Sequence, residues 1–369
     1  MKKRAALVSV VIPAFNAERF LERTLHSAAA QTHADLEIIV VDDGSADKTR
    51  DIALRVAEGD ARVTVISVAN GGVARARNIG IARSRGEYVA FLDADDLWHP
   101  TKIELQLSKL EAAPNRSWAV CYTLQRPIDT DDFADRPGSS RHRSGYILAQ
   151  HLFAKFVGNG SSLLVRRSAA LAVGGFDPTY ADAGIGGCED LDFELKLAAH
   201  YLIAAVPQFL VGYRYYAGNM SSNRVRMSRA IIETVRRRLA ANPDLPAPAA
   251  RYALAASHNW AGLILWRDGR IALSLKHRLA VFRNDPLLLA FSVYGWVIAN
   301  LRALKRAFAR RTVSAPRQYL EFSPLDGVVQ RPSRYHELRL RQLARIDAER
   351  ERQLFRPGGL KTSRQRPCN

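Results

Sequence analysis

The sequence predicts an α/β fold, with a mostly parallel sheet flanked by helices and then a basic, mainly helical C-terminal region. Three observations predict it. Within residues 7–93, four apolar, β-branched runs alternate with amphipathic stretches, the spacing of βαβ units. Three of the runs end in polar groups, at Asn16, at Asp42 and Asp43, and at Asp93 to Asp96. Ligands of open α/β sheets bind outside the carboxyl ends of the strands, so these groups should face one crevice. Finally, the formal net charge of +18 is unevenly placed. Residues 1–224 hold 26 Lys and Arg against 26 Asp and Glu, whereas residues 225–369 hold 28 against 10. Two regions with different jobs, 1–224 and 225–369, follow from that asymmetry.

The elements follow in order. Residues 7–15, LVSVVIPAF, form a buried first strand. In NAERFLERTLHSAAAQ, the residues Phe20, Leu21, Leu25 and Ala28 recur at helical spacing. LEIIVVDDGS (36–45) is a second buried strand ending in acids and a turn, ADKTRDIALRVAEG is a short helix closed by Gly59, and RVTVISV is a third strand. GGVARARNIGIARSRG (71–86) is helical with glycine punctuation, and EYVAFLD is the fourth strand. HPTKIELQLSKLEAA is a helix with Pro100 near its first turn, and WAVCYTL is a further strand. Residues 126–145 are polar and carry Pro and Gly, which predicts a loop or lid. Residues 158–177 read as strand, short helix and glycine turn. Residues 184–200, GIGGCEDLDFELKLAAH, are a glycine-rich loop running into a helix.

Several classes are disfavoured. The start, MKKRAALVSVVIPAF, imitates a secretory signal, but no small-x-small cleavage site follows and Pro13 and Asn16 end the apolar run. Cys121, Cys188 and Cys368 make neither a disulfide framework nor a zinc pattern, which fits a reducing, cytoplasmic setting. No G-x-G-x-x-G follows the first strand, where the sequence is PAFNAE, and no G-x-x-x-x-G-K-[ST] occurs. Dinucleotide oxidoreductases and P-loop NTPases are therefore disfavoured. A bound nucleotide would have to be held by acids and a metal.

YVAFLDADDLWHP (88–100) packs Asp93, Asp95 and Asp96 behind a buried strand. By itself such a cluster is either a solvated turn or a cation site. Alternation along an extended segment turns Asp93 and Asp95 to one side. Mg²⁺ or Mn²⁺ would remove the repulsion, and Mg²⁺ takes only one or two carboxylates and completes its shell with phosphates and water. A diphosphate ligand follows from that reading. CEDLDFELKL carries a second cluster, Glu189, Asp190, Asp192 and Glu194. It is either a helix start enriched in acids by its dipole or a general base on a mobile loop after Gly184, Gly186 and Gly187.

The ordered set VSVVIPAFNAERFLERTLHSAAAQ, EIIVVDDGSADKT, GGVARARNIGIARSRGEYVAFLDADDLWHPTKIE, GGFD and CEDLDFELKLA resembles the family 2 glycosyltransferases across roughly residues 7–221. The resemblance implies a GT-A-type, Rossmann-like fold and an inverting transfer from a nucleotide diphosphate sugar, UDP-linked, to a hydroxyl of a glycan or lipid-linked acceptor in surface polysaccharide biosynthesis. It implies that Pro13, Ala14, Phe15 and Glu18 line the nucleoside pocket, with Asp43 or Asp42 reading the base. Arg77 would pack near the phosphates, and Asp93 and Ala94 near the ribose or donor sugar. Asp95 would bind Mn²⁺ or Mg²⁺, and Asp190 would be the base. Glu189 and Trp98 would position the acceptor or its loop. The pattern departs from the family in GYRYYAGNMSS, where Tyr216 stands in place of a histidine that many members carry. Tyr216 is then expected to donate a hydrogen bond there, and Arg214 to offset phosphate charge.

In residues 285–311, Leu287 to Ala299 is uncharged but only about 13 residues long, short of the roughly 20 that span a bilayer. Leu301, Leu304 and Phe308 share one helical face, apart from Arg302, Lys305, Arg306, Arg310 and Arg311. This is either an interfacial helix on anionic lipid or the core-packing helix of a small subdomain. The first reading gives a peripheral protein on the cytoplasmic face of the membrane. Residues 334–369 read as a charged helix fading into a polar end. Nucleic acid is disfavoured, since no recognition fold or aromatic stacking pattern accompanies the charge. Two rivals to transfer stand beside it: a catalytically silent protein binding nucleotide sugars or membranes, and a sugar nucleotidyltransferase, which would begin with a glycine-rich basic loop.

Overall fold

The computed structural model describes residues 6–134, 138–294, 317–325 and 333–355. Eight strands form one mixed sheet in the order β3-β2-β1-β4-β8-β6-β9-β5. They are β1 (Val8–Ala14), β2 (Leu36–Asp42), β3 (Val63–Ser67), β4 (Tyr88–Phe91), β5 (Leu97–Trp98), β6 (Trp118–Ile128), β8 (Leu163–Arg166) and β9 (Leu202–Arg214). β7 (Phe133–Ala134) pairs antiparallel with β10 (Arg317–Gln318) in a small second sheet. β3, β2, β1 and β4 are parallel, and β8 enters antiparallel between β4 and β6.

The crossovers α1 (Leu21–Ala29), α2 (Thr49–Gly59) and α3 (Val73–Arg83) join the first four strands. They leave β1 between β2 and β4, so the strand order reverses there, and a cleft opens at the carboxyl ends of β1 and β4. Side chains alternate across β1 as strand geometry requires. Val8, Val10 and Ile12 pack in one core with Leu21, Leu25 and Leu107, while Val11 points into the other with Phe91, Phe176 and Phe193.

The four predicted strands and their helices are present within a few residues of the expected bounds. Two features were not foreseen. β9, thirteen residues long, went unassigned because Pro207 and Gln208 interrupt its apolar run. The register with β6 shifts there, and Thr123 donates to the Gln208 carbonyl at 2.5 Å, so the interruption is a bulge in a continuing strand. The expected loop or lid at 126–145 is partly strand. β6 runs on to Ile128 and β7 follows.

The C-terminal region is helical as expected. α9 (Arg224–Ala240), α10 (Ala247–Arg267) and α11 (Ile271–Asn284) pack in sequence, residues 286–294 add another helix, and Arg334–Leu354 closes the chain's described part. One core runs through both regions, joining Phe153, Leu195 and Ala198 to Ile231, Val235, Val281, Tyr335 and Leu343. Within it, Asp347 accepts the backbone N–H groups of Ala149 and Gln150, satisfying orphan donors at the start of α5 (Leu148–Ala154). No helix of the described residues is long and apolar enough to cross a membrane. Residues 295–311 of the proposed interfacial segment and the polar end from 356 lie outside the described residues.

α3 sits close against β1 because residue 80 is glycine. A Cβ there would lie 2.2 Å from Val11 Cγ1. We expect Gly80→Ala to destabilise the chain by about 1–3 kcal/mol, read as a lower urea midpoint with unchanged slope, because overpacking outweighs alanine's helix propensity.

Candidate active site

The cleft at the switch point is a cavity of about 440 Å³. Pro13, Phe15 and Asn16 line it from the end of β1, and Asp93, Ala94 and Asp95 from the end of β4. Arg77 enters from α3, Glu189 and Asp190 from the start of α8 (Glu189–His200), and Tyr213 and Tyr216 from the end of β9. The loops are stitched to hold this shape. Asn16 adopts a left-handed φ of 47° and accepts the Ala46 N–H, while its own N–H donates to Ser45 Oγ.

The three clustered aspartates divide their work. Asp96 is fully buried, and burial and then the charges of Asp95 and Asp93 push its carboxyl up. Three donors oppose that shift: Asn159 Nδ2 at 2.7 Å, Ser161 Oγ at 2.6 Å and the Arg214 N–H at 3.0 Å. Asp96 thus ties the β4 turn to the 159–162 turn and to β9. Asp93 and Asp95 face the cavity instead. Arg77 Nη2 donates to Asp93 at 2.5 Å, and its guanidinium lies 4.9 Å from the centre of the Phe176 ring. Burial works against the Arg77 charge, but Asp93, Asp190 and Glu189 around it outweigh that and raise its pKa. Arg77 Nε is buried with no hydrogen-bond partner among the described residues. Asp95 is pushed up to about 6 by burial and by Asp93, and Tyr216 donates a hydrogen bond to it. The Tyr216 hydroxyl proton thus goes to Asp95.

Across the cavity, the glycine-rich approach to α8 uses positive φ at Gly184 and Gly187, and the Gly187 N–H donates to Glu189 at 2.7 Å. Burial and then Glu194, one turn on, push Asp190 up to about 7, while Arg77 pulls it back. Glu194 is pushed up to about 8 by burial. The His151 imidazole beside it accepts the Phe156 N–H at Nδ1, so Nε2 carries the proton and donates to Glu194 at 3.0 Å. Burial lowers His151 to about 3, which keeps it neutral.

A second cavity of about 460 Å³ adjoins the first and shares Asp190, Asn159, Gly187 and Tyr213 with it. Its wall carries Lys155, Arg141 and Trp260. Lys155 caps α5 with a φ of 45° and places its ammonium 4.8 Å from the Trp260 ring centre. Sequence reasoning missed Lys155, Trp260, Asn159 and Tyr213. Their chain positions are remote from the motifs, and only the fold brings them together.

Other expected residues sit elsewhere. Ala14 is buried in β1. Asp43 is buried, and its oxygens accept the Gly71 and Gly72 N–H groups, so it shapes the turn before α3. Asp42 accepts the Ser45 N–H, and Glu18 accepts that of Lys48 outside the cavity wall. Trp98 is buried beneath the cleft, donating its indole N–H to the Ser161 carbonyl with Lys102 against its ring. It positions the 159–162 turn from below. Arg214, expected to offset phosphate charge, lies behind Asp95 and is not on the cavity wall. Its guanidinium is fully buried and donates through Nε to the Asp95 carbonyl, through Nη1 to the Asp129 carbonyl and through Nη2 to Asp132.

No group of three or more His, Cys, Asp and Glu among the described residues converges as a metal cage. A hard dication sharing a diphosphate needs only one or two carboxylates, and the repelling pair Asp93 and Asp95 fits it.

Residues 9–171 match the family described as Glycosyl transferase family 2. The chain is 45% identical over 118 residues to a putative teichuronic acid biosynthesis glycosyltransferase, TuaG, of Bacillus subtilis, covering 32% of this chain and 46% of that protein. It is 36% identical over 158 residues to hyaluronan synthase of Pasteurella multocida, covering 42% of this chain and 16% of that one. The chain thus spans less than half the length of these relatives. Among solved structures, a mannosyltransferase, PcManGT, of Pyrobaculum calidifontis, in complex with GDP-Man and Mn²⁺, superposes with a TM-score of 0.54 at 19% identity over 96% of this chain and 88% of that one. The shared fold is the GT-A type.

Removing the Asp96 carboxyl should unpair three buried donors. Asp96→Ala is expected to cost about 2 kcal/mol or more in urea unfolding, whereas Asp95→Ala, which relieves repulsion, should not lower stability in metal-free buffer.

Proposed function

We propose that this chain, a member of glycosyl transferase family 2 through residues 9–171, is an inverting glycosyltransferase that moves a sugar from a UDP-linked donor to a hydroxyl of a glycan or lipid-linked acceptor. The observation that carries the reading is the junction of two cavities at Asp190, with Arg77, Asp93 and Asp95 on the wall of the first. The names of the relatives, concerned with teichuronic acid and hyaluronan, support a place in surface polysaccharide biosynthesis.

In this reading the nucleotide diphosphate lies in the first cavity, with Pro13 and Phe15 against the nucleoside and Asp93 toward the ribose or donor sugar. Asp95, with Asp93 beside it, would hold Mn²⁺ or Mg²⁺, which supplies charge neutralisation at the diphosphate when bound. Arg77 stabilises the negative charge that develops on the leaving group, the electrostatic contribution usually largest in catalysis. The acceptor enters through the second cavity, where Lys155, Arg141 and Trp260 suit a sugar chain bearing acid groups. Asp190 takes the proton from the acceptor hydroxyl as that oxygen attacks the anomeric carbon from the face opposite the diphosphate. The C–O bond to the diphosphate breaks in the same displacement, and the anomeric centre inverts. Glu189 holds the Gly187 backbone and so keeps the loop before Asp190 in place. The basic region 225–369 brings the chain to an anionic membrane, on its cytoplasmic face.

Asp190→Asn should lower transfer by about 10²–10⁴-fold, measured as UDP release with acceptor present, while UDP binding persists. Persistent transfer would remove Asp190 from the role of base. As a base Asp190 must be ionised. With its carboxyl pushed up to about 7, kcat/KM should therefore rise with pH and level off above about 7. Calorimetry with Mn²⁺ tests the metal assignment. Asp95→Ala should lose the metal-dependent part of UDP affinity, and equal affinity in both proteins would reject it.

A further inference from the structure

α11 is amphipathic in the wrong sense for a helix at a water-exposed surface. It packs on α10 through buried Ser274 and Val281, and Ser274 Oγ donates to the Gly262 carbonyl at 2.8 Å. Its outer face carries Ile271, Leu275, Leu279 and Phe282, of which the last three are 51–56% exposed. The spacing of four, four and three residues places them in one stripe. α11 ends at Asp285, which is buried and held by Arg339 and Tyr335. In 286–294, Leu288 is buried, and Leu287, Phe291 and Tyr294 are exposed at the same helical spacing. A helix normally shows its polar side to water, and exposed apolar residues at helical spacing on two consecutive helices mark a surface that meets something apolar.

Beside the stripe, α9, α10 and α11 enclose a cavity of about 610 Å³. Leu279 belongs to both the stripe and the cavity wall. The wall also carries Arg229, Arg236, Lys276 and Arg283, none of which has an ion-pair partner among the described residues. The one carboxylate in the wall, Glu233, is paired with Arg237. Four uncompensated cations around one cavity repel one another, and an anion there removes the repulsion.

We infer that α11 and residues 286–294 form a monotopic docking face for an anionic bilayer. The stripe lies among the acyl chains at the interface, and a lipid phosphate seats in the basic cavity. Charge argues against the other occupants of the stripe. A second copy would bring the same cations against these. Residues 295–316 carry Arg302, Lys305, Arg306, Arg310 and Arg311 and no acid, so they too would add like charge to the cavity. The inference rests on the membrane reading above and assigns it a surface, one distinct from the 301–308 face expected from the sequence.

The test is sedimentation of the full chain with vesicles of phosphatidylcholine alone or mixed with phosphatidylglycerol. The wild-type protein should sediment with the mixed vesicles only. Leu275→Ser with Phe282→Ser, and separately Arg229→Gln with Arg236→Gln and Lys276→Gln, should each weaken that binding about tenfold or more. All five of these side chains are solvent-exposed, so circular dichroism and UDP binding should match wild type. Absence of wild-type binding would end both the membrane reading and this face. Full binding by both variants would leave the membrane reading standing and reject the face. A wild-type dimer that the Leu275→Ser, Phe282→Ser protein dissolves, with vesicle binding unchanged, would assign the stripe to a second copy and overturn the inference.

Discussion

Asp96 is the constraint on which the cleft depends. A chain that brings three carboxylates to the end of one buried strand must dispose of their mutual repulsion, and here it does so by unequal burial. Asp96 turns inward and is met by Asn159, Ser161 and the Arg214 N–H. Those three contacts fasten the β4 turn to two elements far along the chain. Asp93 and Asp95 are then left facing the cavity, one against Arg77 and the other against Tyr216. Burial and then the unrelieved repulsion from Asp93 raise Asp95 to about 6, and that repulsion is available to favour a cationic ligand. Strain kept at a site in this way costs stability in the empty protein and is returned on binding.

The opposite wall follows a different logic. Glu194 lies one helical turn from Asp190 on α8 and, after burial, disfavours the ionisation of Asp190. His151 is held neutral by burial and gives Glu194 its Nε2–H, while Arg77 draws Asp190 toward its charged form. The result is a carboxyl poised near neutral pH, which is where a general base works best.

The C-terminal helices matter to this wall as well as to the surface. Asp347, on the helix Arg334–Leu354, caps α5 at Ala149 and Gln150. α5 carries His151 and ends at Lys155, so the far end of the described chain fixes residues beside Asp190. Asp285, held by Arg339 and Tyr335, likewise joins residues 286–294 to that closing helix. The basic region is therefore bound into the same core as the sheet, with a cationic cavity and an apolar stripe on its outer side.

The order and type of the first elements were legible in the sequence because each is a local matter. β-branched runs form buried strands, helical spacing forms amphipathic helices, and a strand order that reverses makes a crevice at the strand ends. Asp93, Asp95, Arg77, Glu189 and Asp190 were legible for a related reason, since each sits in a short ordered motif. What tertiary structure alone decided is which of the acids face the crevice and what meets them. Asp43 and Asp96 have the same chemistry as Asp95 but are used up by backbone and side-chain donors that lie 28 to 118 residues away. Arg214, read as offsetting phosphate charge, is buried against Asp132 and two carbonyls. Lys155, Trp260 and Asn159 reach the second cavity from separate elements, and β9 is a strand only because β6 supplies a partner on both sides of its bulge. Sequence specifies what each residue prefers locally; hydrogen-bond donors and burial are allotted only when the chain is closed on itself.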